Sequence, residues 1–182
     1  MLKAKKSILS RAKRLYLHQG WLTFFTYFRY WEEIRYQRLE KMIPKKGTII
    51  DLGCGYRLFA NFLGMTSPQR RVIGLELDKK KLRLAEKNFP NVRFVAKDIT
   101  KVKIPSADVI ILMCALHHLS SFKEQEKLLG FCVKKLKKSG LLIIDEVDNH
   151  PWYKYLITRL ADFLLYPHDK IFSFPTGDAE IT

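Results

Sequence analysis

The stretch richest in chemistry is Asp51-Leu52-Gly53-Cys54-Gly55. Thr48, Ile49 and Ile50 before it read as a buried strand that Asp51 closes, and residues 56–63 after it read as a helix. Glycine lets a backbone turn sharply and lie against a ligand. In an open α/β sheet, ligands bind at the C-terminal edge of the strands. The spacing therefore points to a nucleotide-like cofactor across Asp51–Gly55. A dinucleotide is a poor fit, because the third glycine of that fingerprint would fall where Leu58 stands. The Gly-Lys-Ser/Thr of a P-loop is absent as well.

The elements that must position this loop alternate along the chain. A linker, Pro44-Lys45-Lys46-Gly47, delivers the first strand, and residues 61–71 read as a helix exit and loop. Residues 71–78 read as a second strand, 92–96 as a third, 107–113 as a fourth and 141–145 as a fifth. The stretch 107–113, Ala-Asp-Val-Ile-Ile-Leu-Met, is an apolar run with the length of a buried parallel strand. Residues 79–88 read as a helix with Leu82, Leu84 and Ala85 inward, ended by Pro90. Residues 122–138 read as an amphipathic helix with the stripe Leu128, Leu129, Cys132, Val133 and Leu136, closed by Ser139-Gly140. Pro151 opens a last helix over 151–165. Such alternation predicts an α/β fold, a doubly wound and mostly parallel sheet with helices on both faces.

At 182 residues the chain has room for one domain with a real core, and 47% hydrophobic content fits a globular protein. No apolar run reaches the roughly 18–20 residues of a membrane span, and no signal-peptide pattern is seen at the start. Cys54, Cys114 and Cys132 are widely spaced, so a reducing cytoplasm is the expected setting. The net charge is +15 and uneven: residues 1–46 carry twelve Lys/Arg against three Glu. Such a field favours anionic partners, and a solvated basic surface is the plain alternative. Residues 1–44 read as an N-terminal helical extension and 45–182 as the main domain. Within the extension, Trp21, Phe24, Phe25, Phe28 and Trp31 recur on one helical face. That face either packs on the domain and caps the cofactor pocket, or, with the basic residues of 1–36, lies in an anionic membrane surface.

With the strands placed, the chain resembles the class I S-adenosylmethionine-dependent methyltransferases over roughly residues 45–150. The resemblance implies a Rossmann-like sheet of order 3-2-1-4-5. Asp51, Gly53, Cys54 and Gly55 match the glycine loop that borders the methionine part of S-adenosylmethionine in that family. Glu76, with Leu77 beside it, matches the acid that holds the ribose diol; a carboxylate can accept hydrogen bonds from both hydroxyls. Asp78 is the weaker candidate for that role. Asp98 matches the position that meets the adenine amino group, with Ile99 against the ring. The stretch from Met113 to Leu119, Met-Cys-Ala-Leu-His-His-Leu, looks like the turn of the small-molecule, quinone-biosynthesis-like members.

In such an enzyme the product is S-adenosylhomocysteine and the acceptor is expected to be a small or lipid-like molecule. His117 and His118 are the candidates for a catalytic base, since histidine titrates in the useful range; structural packing is the competing reading. Asp145 and Glu146 point toward the acceptor side, with capping or ion pairing as the alternative. No metal-ligand spacing appears. Nucleic acid is the less favoured acceptor, because His-His stands where a base-methylating Asn-Pro-Pro-Tyr would be. A non-catalytic cofactor-binding module is the reading from outside enzymology.

Two departures from the family pattern matter. Arg57 stands at the third glycine position, where it would crowd the loop or pair with the cofactor carboxylate. Only residues 166–182 follow the last helix, with one short strand at most at 171–174, so the chain looks like a family member lacking the C-terminal hairpin, through truncation, as a natural short form, or with its sheet completed by another chain. The fifth strand would then be an open edge that invites a second copy of the chain. Cytoplasmic placement, with or without peripheral membrane contact, completes the expectation.

Overall fold

The computed structural model describes residues 30–83 and 89–146. The segment before residue 30, Leu84 and Ala85, the helix expected at 151–165 and the strand expected at 171–174 lie outside the described residues. In chain order the elements are α1 (Tyr30–Met42), β1 (Gly47–Leu52), α2 (Leu58–Thr66), β2 (Arg70–Glu76), α3 (Lys79–Arg83), β3 (Val92–Ala96) and β4 (Ala107–Met113). A 3-10 turn (Leu116–His118), α4 (Phe122–Lys135) and β5 (Leu136–Asp145) follow.

The five strands form one all-parallel sheet in the order β3-β2-β1-β4-β5, as expected. Ile50, Leu52, Ile110 and Leu112 face one side, with Leu128 and Cys132 of α4. Ile49, Val109 and Ile111 face the other, with Phe59, Phe62 and Leu63 of α2. Both faces of the central strands are thus covered, which is why 107–113 carries apolar residues at nearly every position instead of alternating. Helix α1 joins the α2 side. Tyr36 lies 4.7 Å from Phe59 ring to ring, and Ile43 is buried in the same cluster. Over residues 35–43, α1 therefore packs on the domain core.

Several boundaries move. Arg57 takes a left-handed backbone (φ 68°), so α2 begins at Leu58 and not at 56. It continues through Thr66, and Gly64, read as part of the exit, is inside the helix. A Cβ at Gly64 would overlap Val92 of β3, so helix and strand approach as closely as a hydrogen allows. Gly64→Ala would gain about 1 kcal/mol in helix propensity but cost about 1–3 kcal/mol in overpacking. The expected result is a net loss, read as a lower urea midpoint at unchanged m-value. Val92→Ala in the same chain should restore the midpoint, and failure of that rescue would count against the contact.

Helix α4 stops at Lys135, three residues earlier than expected. Leu136 turns extended (ψ 142°), and its amide caps the carbonyls of Cys132 and Val133. The strand β5 starts there and bulges against β4 between Ala107 and Val109, so Gly140 lies in the bulge and is not a helix cap. Lys137 in this bulge donates to Asp108 at 2.7 Å, and Asp108 accepts the amide of Thr48 at 2.7 Å. The inner stripe of α4 is also corrected: Gln125, Leu128 and Cys132 are buried, while Val133 is 61% exposed. Val133 follows Cys132 by one residue, a rotation of about 100° that carries it off the face.

Candidate functional site

Parallel pairing brings all five strand ends to one edge. Leu52 pairs with Leu75 and Leu112, Glu76 with Ala96, and Met113 with Asp145. The chain order reverses between β1 and β4, and that switch is where a crevice opens in sheets of this kind. Asp51, Glu76, Asp98, Met113 and His117 are spread over nearly seventy residues of sequence yet all stand at or just past this edge.

The glycine loop closes onto β2. The amides of Gly53 and Cys54 both donate to the Leu75 carbonyl, at 2.8 and 2.9 Å. Gly53 has φ +76°, and a Cβ there would come within 2.8 Å of Ala115 Cβ, so the loops after β1 and β4 touch at this glycine. Gly55 (φ +51°) donates its amide to Glu76 Oε2 at 2.9 Å. Glu76 Oε1 accepts the amide of Asp78 at 3.0 Å. Each carboxylate oxygen keeps a further lone pair for a ligand donor. Asp78 itself accepts from the Lys80 amide at 2.7 Å, which assigns it to starting α3. Leu77 lies past the end of β2 and is 68% exposed.

Asp51 is buried, and its Oδ1 has no hydrogen-bond partner among the described residues. Burial first, and the nearby Glu76 charge second, push its carboxyl up to about 7. The same causes, burial and then Asp51 and Glu76, raise the Cys54 thiol well above its usual range. Cys54 therefore stays protonated and is no nucleophile. The Arg57 guanidinium sits over the Phe94 ring of β3 at 4.5 Å.

Asp98 follows β3 and turns its Oδ1 to the amide and hydroxyl of Thr100, at 2.9 and 2.7 Å; Lys101 stands 3.5 Å from the other oxygen. The Thr100 hydroxyl bond is the main reason its carboxyl is held below the usual range. Ile99 is half-buried against the β1–β4 cluster, and Met113 against the α2 side.

Past β4, Cys114 has φ +50° and its amide donates to the Asp145 carbonyl at 2.8 Å. Glu146 then organises the next three residues. Its Oε1 accepts the amides of Ala115 and Leu116 at 2.8 and 2.7 Å, and its Oε2 lies 2.6 Å from His117 Nδ1. His118 follows with its ring centroid 4.2 Å from that of His117. Asp145 pairs with Arg35 of α1, whose guanidinium also reaches the Asp145 carbonyl and Cys114 Sγ, both at 3.3 Å. Asp145, the last residue of β5, and Glu146 just past it thus carry the ion-pairing and capping contacts that stood as their alternative. Sequence reasoning missed Arg35, since one arginine in a helix of mixed charge gives no signal of a partner 110 residues away.

Residues 50–144, just over half of the chain, match the family model described as a methyltransferase domain. A protein of Invertebrate iridescent virus 6 described as a methyltransferase is 22% identical over 138 residues, 70% of this chain and 52% of that protein. The malonyl-[acyl-carrier protein] O-methyltransferase of Halalkalibacterium halodurans is 32% identical over 114 residues, 58% of this chain and 41% of that protein. The chain thus spans about half the length of the curated relatives it matches. Among solved structures, S-adenosylmethionine-bound CalS10, an amino pentose methyltransferase from Micromonospora echinaspora, superposes with a TM-score of 0.53 at 24% identity, over 62% of this chain and 48% of that one. Domain match, strand order and glycine loop agree: the chain belongs to the class I S-adenosylmethionine-dependent methyltransferase family.

Proposed function

We propose that this chain binds S-adenosylmethionine across Asp51–Gly55 and transfers its methyl group to a small-molecule or lipid-like acceptor. The observation that carries the reading is the unpaired, buried Oδ1 of Asp51 beside a glycine loop. A buried carboxylate oxygen without a donor is costly, and the ammonium of the methionine moiety supplies the missing donor and a cancelling charge. Glu76 holds the ribose hydroxyls with its remaining lone pairs, Asp98 and Ile99 take the adenine, and Met113 borders the site from β4. Leu77, at the mouth, covers its outer side.

When bound, the cofactor supplies a sulfonium methyl, which the acceptor's lone pair takes as the carbon–sulfur electrons return to sulfur. The protein's own work is to align the acceptor, exclude water and take up the acceptor's proton where it has one. His117, with His118 beside it, is the base in this reading. The acceptor class draws support from the two relatives whose described acceptors are an acyl-carrier-bound acid and an amino pentose.

Calorimetric titration of the 182-residue chain with S-adenosylmethionine and S-adenosylhomocysteine tests the reading. Binding on the order of micromolar is expected, with Glu76→Ala weakening it tenfold or more. A folded chain that binds neither compound sinks the proposal. Given binding, transfer of labelled methyl into extractable small molecules supports the acceptor class, and transfer into RNA overturns it.

A further inference from the structure

The catalytic reading leaves one group unused. Glu146 is a carboxylate with three bonds aimed at a single turn: two backbone amides on Oε1 and one imidazole nitrogen on Oε2. The side chains of Glu146 and His117 are only 11% and 7% exposed. Burial pushes the Glu146 carboxyl up, but the bonds from His117, Leu116 and Ala115 outweigh it and hold it below the usual range. The glutamate is therefore ionised at neutral pH and can only accept hydrogen bonds. The hydrogen between it and His117 must come from the ring, so Nδ1 carries the proton. A neutral imidazole with Nδ1–H leaves Nε2 as a bare acceptor. His117 Nε2 has no hydrogen-bond partner among the described residues, and it is not among their side-chain atoms sealed from solvent without one.

We infer that Glu146 is the positioning residue of this site: it locks His117 in the tautomer whose free Nε2 faces outward as a base, and distinguishes His117 from its neighbour His118. The two amide bonds matter because they fix the carboxylate to the same turn that carries the ring. Glu146 thus reads the position of residues 115–117 and sets the ring's hydrogen in one contact. When an acceptor O–H or N–H gives its proton to Nε2, the ring becomes an imidazolium with Nδ1–H still on Glu146. The fixed carboxylate then balances the new positive charge without moving, which is electrostatic stabilisation built in advance. An acceptor atom that bears a proton is the substrate class this device serves. The inference rests on the methyl-transfer reading for its purpose, but the tautomer itself is a property of the chain alone.

The test is long-range proton–nitrogen NMR of the imidazoles in the full chain without cofactor, with His117 assigned by the loss of its signals in His117→Asn. Wild type is expected to show the Nδ1–H tautomer at His117. Glu146→Gln keeps a carbonyl oxygen for the Ala115 and Leu116 amides but turns an NH2 toward Nδ1. The ring must then accept there, and the proton moves to Nε2. The expected result is a switch to the Nε2–H tautomer, with methyl transfer falling about 10²–10⁴-fold while cofactor affinity stays within about twofold. Glu146→Asp, which keeps the charge, should retain the Nδ1–H form. A wild-type spectrum dominated by Nε2–H overturns the inference even if the glutamine variant does not fold, as does an unchanged tautomer in that variant. Loss of cofactor binding in wild type would fail the methyl-transfer reading instead, and the NMR result would stand apart from it.

Discussion

Arg70→Ala should lower the unfolding free energy by about 3–5 kcal/mol, the cost of breaking a buried ion pair by removing one partner. Arg70 is 1% exposed although it is an arginine. Its Nε donates to the Pro44 carbonyl at 2.8 Å, and its Nη1 to the Leu63 carbonyl and the Thr66 hydroxyl at 3.2 and 2.6 Å. Its Nη2 meets Glu40 Oε1 at 3.0 Å and the Ile43 carbonyl at 2.9 Å. Glu40 is fully buried. One guanidinium therefore neutralises a buried carboxylate and satisfies carbonyls at the C-terminal ends of both α1 and α2, groups that helices leave unpaired. Removing it takes the arginine's charge and its donors from all of these groups at once, although Lys45 still pairs with Glu40. Lysine cannot reproduce the forked geometry, so Arg70→Lys should recover only part of the loss. Urea unfolding at neutral pH reads both variants. A loss below about 1 kcal/mol, the scale of an exposed pair, would mean that the network is not holding α1 to the sheet.

The second large effect is expected at Asp51. Its folded carboxyl sits at about 7 against a usual 3.8, raised by burial and then by Glu76. Between those values the folded chain holds a proton that the unfolded chain has released. Stability without cofactor is therefore fully present below the lower value and is lost as pH rises through the window, by roughly 4 kcal/mol in all. Asp51→Asn carries no such proton. Its stability should be flat across the window and exceed wild type at pH 8. Cofactor affinity should move the other way and fall about 10–100-fold, because the ammonium loses a charged partner. Binding to wild type near pH 7 should also release part of a proton as Asp51 ionises, seen as a dependence of calorimetric heat on the buffer's ionisation enthalpy. An Asp51→Asn variant no more stable than wild type at pH 8, with unchanged affinity, would remove Asp51 from the binding role.

The alternation of apolar runs, glycines and helix signals made the architecture legible without coordinates. The reason is physical: a parallel strand buried on both faces needs a nearly continuous apolar run, and 107–113 has one, with Asp108 the exception. Glycine at 53 and 55 was legible for a similar reason, since left-handed turns at a strand end admit few other residues. Once strand ends were known, an acid at each, Asp51, Glu76 and Asp98, could be assigned to one edge because parallel pairing leaves no other arrangement.

Tertiary structure decided what depends on partners distant in the chain. Nothing local marks Glu146 as the ligand of His117 or Arg70 as the hub of two helix ends, because a carboxylate or guanidinium looks the same in sequence whether solvated or buried. The same holds for Arg57, whose place in the loop was legible but whose side-chain direction was set by Phe94 on another strand. Helix ends shifted for the converse reason. Leu136 carries helical propensity, but bridging to Ala107 draws it into the sheet, and the lost helical turn is offset by strand pairing. Local propensity and periodicity thus chose the elements and their order, while burial and long-range charge pairing, which no window of sequence contains, chose which side chains face the site.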